Sequence, residues 1–336
     1  MTVGGSRQLR VFPSLDDMLG ELTKRRPFKT ADSLSGSRFE SAMYQGEPMI
    51  LKYISVDDDW IMRASGDLHC RQLTLFESGV LDRLPPSIDH ATVAVAPFVS
   101  SSGHRGGAFL LHDVSASLIP PGRTLIELET HLRFLDHMSD LHAAYWGWDD
   151  AVELFPLAHH YVLLTPTMAA LEQERASREA VPPAVAQGWT AMRTGRPATY
   201  GALVELARDP GPLASALAST PHTLIHADWK LGNLGEHHDG RTVLLDWDRS
   251  GAAPATFDLA WYLAVNCDRI PLSKEATIDA YRVALQQRGV DIDGWWHHQL
   301  ALTLLGAFLM LGWSKTGDPG EFAWWEARLA DGLQHL

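Results

Sequence analysis

The chain has 336 residues, 46% hydrophobic and 21% charged, with a formal net charge of −13. That is enough apolar material for one large domain or two lobes. The acidic balance argues against a broad nucleic-acid-binding face, which needs clustered Lys and Arg, and leaves room for a neutral or cationic small molecule. The two cysteines, Cys70 and Cys267, stand in no metal-like spacing. They exclude a disulfide framework and fit a reducing cytoplasm. The opening "MTVGGSRQLRVFPSLDDML" has no long apolar run, so no signal peptide is expected.

In chain order, "RFESAMYQ" and "EPMILKYI" flank Gly46 and read as a β-hairpin. "ASGDLHCRQLTLFESGVLDRL" has helical spacing and stops at Pro85-Pro86. "TVAVAPFV" and "GAFLLHDV" read as a second antiparallel pair across the loop "SSSGHRGG". From about residue 124 the pattern turns helical, starting with "LIELETHLRFLDHMSDLHAAYW". The stretch from 150 to 220 reads as helices broken by Pro and Gly. The apolar run from Leu300 to Trp313 is too short for a membrane span and reads as a buried helix. A small sheet lobe followed by a large helical lobe is an α+β arrangement.

The densest polar chemistry lies in "HADWKLGNLGEHHDGRTVLLDWDRSG", residues 226 to 251. "TLIHAD" reads as a short apolar strand running into polar residues, and "NLGEHHDGRTVLLDW" as a hairpin turning at Asp239-Gly240. A hairpin returns its two ends side by side. Asn233 at the entry and Asp246 at the exit therefore converge, with Asp228 just before them. Two carboxylates and an amide oxygen are hard ligands suited to Mg²⁺. Lys230 adds a mobile positive charge. Phosphoryl transfer asks for that set: a carboxylate for the hydroxyl proton, oxygen ligands for the metal, and a cation for the transferred group.

His-x-Asp-x-Lys-x-x-x-Asn followed by Leu-Leu-Asp-Trp resembles the catalytic and metal loops of the aminoglycoside phosphotransferase/choline kinase family, small-molecule relatives of the protein kinases. The resemblance implies a bilobal protein-kinase-like fold. A small antiparallel-sheet nucleotide lobe would cover residues 1–112, and a helical catalytic and substrate lobe residues 113–336. It implies Asp228 as the base, Lys230 on the γ-phosphate, and Asn233 and Asp246 on Mg²⁺. "TFDLAWYL" is similar to the family's Asp-Leu-Ala segment, so Asp258 would buttress the catalytic loop. ATP would sit between the lobes, held by Lys52 of "MILKYI", by a phosphate loop around Ser35, Gly36 and Ser37, and by backbone groups of the linker His112, Asp113 and Val114. The family pairs the strand lysine with a helical Glu. Gln72 stands near that position, with Glu77 and Asp67 as the nearby acids.

The reading is a small-molecule kinase that phosphorylates a hydroxyl of a sugar, amino sugar or aminoglycoside. No nucleic acid or membrane partner is expected. Residues 271–336 hold eight acidic and five basic side chains and two Trp pairs, Trp295-Trp296 and Trp324-Trp325. Acidic groups and flat rings suit such an acceptor, although a Trp-filled core under an acidic surface explains them too. Two rival readings remain on these residues, a catalytically inactive nucleotide-binding protein of the same fold and a metal-dependent hydrolase. The hydrolase leaves Lys52 and the linker unexplained.

Overall fold

A computed structural model describes residues 9–28 and 34–336. The first eight residues of the expected leader-free start, and residues 32 and 33 ahead of the expected phosphate loop, lie outside the described residues.

The N-terminal part comprises β1 (Arg10–Val11), α1 (Leu15–Gly20), β2 (Thr23–Phe28), β3 (Arg38–Tyr44), β4 (Glu47–Ile54), α2 (Trp60–Ser65), α3 (Arg71–Glu77), β5 (Ile88–Asp89), β6 (Thr92–Val99) and β7 (Arg105–His112). Six of these strands form one sheet in the order β1-β6-β7-β4-β3-β2, antiparallel except for β1 against β6. Both expected hairpins form. Between β3 and β4, Gln45 (φ 51°) and Gly46 (φ 88°) both take the left-handed conformation that a tight two-residue hairpin requires. Alternation along β4 then sorts its side chains. Leu51 and Tyr53 join Phe12, Met18 and Tyr44 in a small core under α1, while Ile54 joins the main core on the other face. Lys52, between Leu51 and Tyr53, points to that second face, which meets the large lobe.

The long helix expected over residues 64–84 is instead two short ones. Gly66 (φ 65°) ends α2 and Cys70 (φ 56°) precedes α3. Between them the Asp67 carboxylate accepts the N–H groups of His69 and Arg71 and turns the chain. A polar turn built by a side chain is invisible to apolar periodicity.

The large lobe contains α4 (Leu128–Ala144), α5 (Leu157–His160), α6 (Pro166–Glu174), α7 (Val181–Gly195), α8 (Pro197–Arg208), α9 (Gly211–Ala218), β8 (His222–Ile225), β9 (Leu234–Glu236), β10 (Thr242–Leu244), β11 (Gly251–Pro254), α10 (Thr256–Val265), α11 (Lys274–Gln287), α12 (Trp296–Leu311) and α13 (Pro319–Gln334). α12 is buried on nearly every face, as its unbroken apolar run demands. β8 pairs with β11, and β9 with β10. β10 also takes β5 as a parallel neighbour, so one strand from before residue 90 completes the hairpin sheet. No helix among the described residues is long and apolar enough to cross a membrane. The fold is α+β, bilobal and kinase-like.

Candidate active site

The polar stretch folds as the turn pair at Asp239-Gly240 dictates, with Leu234 opposite Leu244. Just outside that register the Leu245 N–H donates to the Asn233 carbonyl at 3.0 Å. Asn233 and Asp246 are thereby brought to one end of the hairpin. Asp228 enters from β8 through Ala227, whose φ of 63° is uncommon for a residue with a Cβ, and Asp246, just after β10, has φ 60°, a value Asp tolerates better than most.

What surrounds the loop is specific. Asp258, in the first turn of α10, accepts the N–H of Ala227 at 2.6 Å on Oδ1 and the N–H of His226 at 2.8 Å on Oδ2. His142 Nε2 lies 3.1 Å from the same Oδ2. Inside the loop, His226 Nδ1 accepts the Asp228 N–H at 3.2 Å, so the proton sits on Nε2, which donates to the Leu245 carbonyl at 2.9 Å. One imidazole thus fastens the Asp228 loop to the Asp246 strand. Burial holds this histidine below its usual range, against the pull of Asp258 and Asp228.

Asp228 is buried and surrounded by donors. Lys230 Nζ reaches Oδ2 at 2.6 Å, and Asn233 Nδ2 reaches Oδ2 at 2.8 Å and the Asp228 carbonyl at 3.0 Å. Trp261 Nε1 donates to Oδ1 at 3.0 Å, with the Arg249 guanidinium 3.6 Å from that oxygen. Burial alone raises a carboxyl, but Lys230 and Arg249 outweigh it and hold Asp228 down at about 2. With Asn233 Nδ2 committed to Asp228, its Oδ1 has no hydrogen-bond partner among the described residues.

Across the cleft, Lys52 Nζ bonds Asp246 Oδ1 at 2.6 Å. Lys52 is 5% exposed, whereas the Asp246 side chain is 42% exposed, so the pair bridges a buried strand and an open mouth. Burial lowers a lysine; the fields of Asp246 and Asp248 overcome it and keep Lys52 above its usual range. The helical Glu expected beside Lys52 is absent. Gln72 is buried with its Oε1 unpartnered, Glu77 pairs with Arg105 at 2.6 Å, and Asp67 is spent on backbone N–H groups.

The remaining expected residues divide. Ser35, Gly36 and Ser37 lie between β2 and β3, against the start of α2, where Trp60 donates its N–H to the Ser35 carbonyl at 3.0 Å. His112 closes β7, and in the segment that follows the Ser115 N–H bonds the Asp113 carboxylate and the Ser117 N–H the Val114 carbonyl. Trp296 and Trp325 belong to the main core, stacked on Tyr281 and Phe308. Trp324 is occupied by Arg328 at 4.0 Å and Lys274 at 4.9 Å over its ring, and Trp295 packs on Trp146 and Trp296. Trp296 and Trp325 lie in the core, Trp295 and Trp324 are half-buried at its edge, and none of the four shares a hydrogen bond or ring contact with the Asp228 cluster.

Sequence reasoning passed over three residues. Trp261 stands three after Asp258, on the same side of α10, and is the tryptophan that touches Asp228. Arg249 lies buried over the Trp261 ring at 4.3 Å, its Nε and one terminal nitrogen unpartnered. Asp248 is pushed up to about 7 by burial, with Asp246, Asp59 and Asp228 adding to it against Lys52. The tight spacing of "DWDRSG" after the hairpin was the available signal for the last two.

A sequence model described as the phosphotransferase enzyme family matches residues 111–290. No curated protein matches the chain significantly by sequence. Among solved structures, Plasmodium vivax ethanolamine kinase aligns with a TM-score of 0.51 at 12% identity, over 94% of this chain and 84% of its own. LicA in complex with AMP aligns at 0.50 and 13%, over 95% of both chains, and a microcompartment-associated aminopropanol kinase at 0.50 and 12%, over 94% and 93%. At such identities the likeness speaks to the fold.

Proposed function

Because the chain belongs to the phosphotransferase enzyme family, we propose that it transfers the γ-phosphoryl group of ATP to a hydroxyl of a small molecule, of sugar, amino sugar or aminoglycoside type. The observation that carries this reading is the Asp228 carboxylate, pinned by Lys230, Asn233 and Trp261 next to the open oxygens of Asn233 and Asp246. The acidic balance of the chain favours a neutral or amine-bearing acceptor over an acidic one.

Asn233 Oδ1 and the Asp246 carboxylate are the hard oxygens that would hold Mg²⁺. The ion, when bound, offsets charge on the nucleotide phosphates. Asp228 accepts a hydrogen bond from the acceptor hydroxyl and aims its oxygen at the γ-phosphorus. A carboxylate held near 2 is a weak base. It therefore takes the proton late, as the new O–P bond forms, the bond to ADP breaks and the hydroxyl becomes acidic. Lys230, already 2.6 Å from Asp228, meets the transferred group from the same side. Lys52 would serve the nucleotide phosphates, the Ser35–Gly36–Ser37 segment would cover them, and backbone groups of His112, Asp113 and Val114 would face adenine.

Two measurements test the proposal. Millimolar ATP-Mg raises the melting temperature, by linkage of binding to folding. A panel of sugars, amino sugars, aminoglycosides and amino alcohols, read by ADP release, contains an acceptor whose turnover is abolished in Asp228→Asn while nucleotide binding persists. An unshifted melting curve together with a silent panel would end this reading.

A further inference from the structure

We infer that Arg63 and Glu172 are positioning residues: their buried ion pair ties α2 to α6 and sets the seat of the Ser35–Gly36–Ser37 segment. Where that segment is taken to cover the nucleotide phosphates, this rests on the proposed function. α2 belongs to the small lobe and α6 to the large one. Arg63 Nε donates to Glu172 Oε1 at 2.9 Å, and Nη2 donates to Oε2 at 2.7 Å. The planar fork of a guanidinium meets both oxygens of a carboxylate in one orientation, so the pair fixes direction as well as distance. The remaining nitrogen, Nη1, donates to the carbonyls of Val56 and Asp57 at 3.0 Å each, just beyond β4.

Burial gives the pair its weight. Glu172 is 2% exposed. Burial raises its carboxyl, but Arg63 more than offsets this and holds the group below its usual range, so it stays ionised. Arg175 Nη1 stands 3.8 Å from the same carboxylate, on an exposed side chain. Removing one partner of a buried pair strands the other charge, so the lobes do not part here without a large cost. A second bond runs alongside. His159 Nδ1, on α5, donates to the Ser65 carbonyl at the end of α2 at 2.9 Å. The C-terminal half of α2 is therefore held to the large lobe by two polar contacts.

The N-terminal half carries the segment. Trp60 donates its backbone N–H to the Ser35 carbonyl at 3.0 Å and its Nε1–H to the Leu34 carbonyl at 2.7 Å. Asp59 caps α2 by accepting the N–H groups of Ile61 and Met62, and its Oδ2 accepts the Ser37 hydroxyl at 3.4 Å. Gly36 has φ +99°, and a Cβ there would lie 2.2 Å from the Asp58 carbonyl oxygen and 3.5 Å from Glu179 Oε1. Glu179 belongs to the stretch behind α6, whose Ser177 N–H bonds the Glu172 carbonyl at 3.0 Å. The segment thus lies between two walls, α2 and the stretch behind α6. The Arg63–Glu172 pair joins those walls and sets their spacing.

Glu172→Gln keeps the shape and removes the charge, and Arg63→Lys keeps the charge and removes the fork. Hydrogen exchange of the nucleotide-free protein reads the seat directly, because the Trp60 amide is the one bonded to the Ser35 carbonyl. In both variants its exchange speeds up about tenfold relative to the amides of α12, which report general loss of stability. The Arg63→Met/Glu172→Leu double variant strands no charge, so it folds where a single variant does not, and it shows the same rise. An unchanged ratio, or equal acceleration at Trp60 and in α12, would make the pair a general staple and overturn the inference. ATP-Mg then binds about fivefold more weakly to Glu172→Gln than to the parent. Parental affinity alongside a raised exchange ratio would separate the segment from the nucleotide and remove that half of the inference. If the parent protein binds no ATP-Mg, the proposed function falls, and the exchange ratio still decides whether the pair positions the segment.

Discussion

Replacing Asp258 by Ala tests whether the Asp228 loop is held from behind. The carboxylate is fully buried and accepts two backbone N–H groups, at 2.6 and 2.8 Å, from residues that have no other way to satisfy them inside the core. A hydrogen bond to a charged acceptor contributes about 1.5–3 kcal/mol, and an orphaned buried N–H costs about 1–3 kcal/mol. Two such bonds, counted once each, put the loss at about 3–6 kcal/mol. Ala227 would also lose the contact that maintains φ 63°. Urea unfolding of Asp258→Ala and of the isosteric Asp258→Asn reads the loss directly, with Asn intermediate because one acceptor oxygen survives. With a validated acceptor, kcat falls in both variants as Asp228 shifts, while the affinity for ATP-Mg changes little. A loss below about 1 kcal/mol together with kcat within twofold of the parent would show that the loop holds itself.

Three further outcomes are expected. Asp246→Ala removes both the Lys52 partner and a proposed metal ligand, so ATP-Mg no longer raises the melting temperature; a shift as large as the parent's would clear Asp246 of both roles. Trp261→Phe keeps a ring under Arg249 but deletes the N–H on Asp228, so kcat drops about tenfold or more with the KM for ATP unchanged; unaltered kcat would mean that the bond does not orient the base. Burial lowers His131 to about 4, between Tyr262 and Thr277. An unfolded histidine titrates near 6.5, so its stabilising share is complete above about pH 6.5 and disappears as the pH falls toward 4. Melting temperatures from pH 7 to pH 5 should decline less steeply in His131→Asn, and parallel curves would contradict the assignment.

What could be read from the sequence follows from which signals are local. The Asp239-Gly240 turn fixes the hairpin, and the hairpin fixes the meeting of Asn233 and Asp246, so that half of the site was visible in one short stretch. β2 was not visible. Its "TKRRPF" is exposed along its length and offers no alternation to detect. β5, two residues long, is a strand only because β10 lies beside it. The partner of Lys52 escaped because the expected position was counted along a continuous helix. A turn at Asp67 breaks that helix, and the carboxylate that bonds Lys52, Asp246, comes from the other lobe, 194 residues further along the chain. The tryptophan pairs stayed open between two readings because composition cannot tell an aromatic that lines a cleft from one that fills a core; in the structure Trp296 stacks on Tyr281 and Trp325 on Phe308.

The pairing of β5 with β10 has a consequence for how the chain acquires its shape. Thr242 lies opposite Ile88 and its N–H bonds the Ser87 carbonyl at 2.8 Å, so the hairpin carrying Asn233 and Asp246 gains its third strand from a segment about 150 residues earlier. Closing so long a loop loses entropy before any contact compensates, which makes this one of the later events on the route to the native state. During synthesis the early segment emerges long before its neighbour exists, and its short edge has to wait uncovered. Brevity protects it. Two residues of strand offer little for another chain to pair with, so the same shortness that hid β5 from prediction keeps a half-made molecule from joining its copies edge to edge.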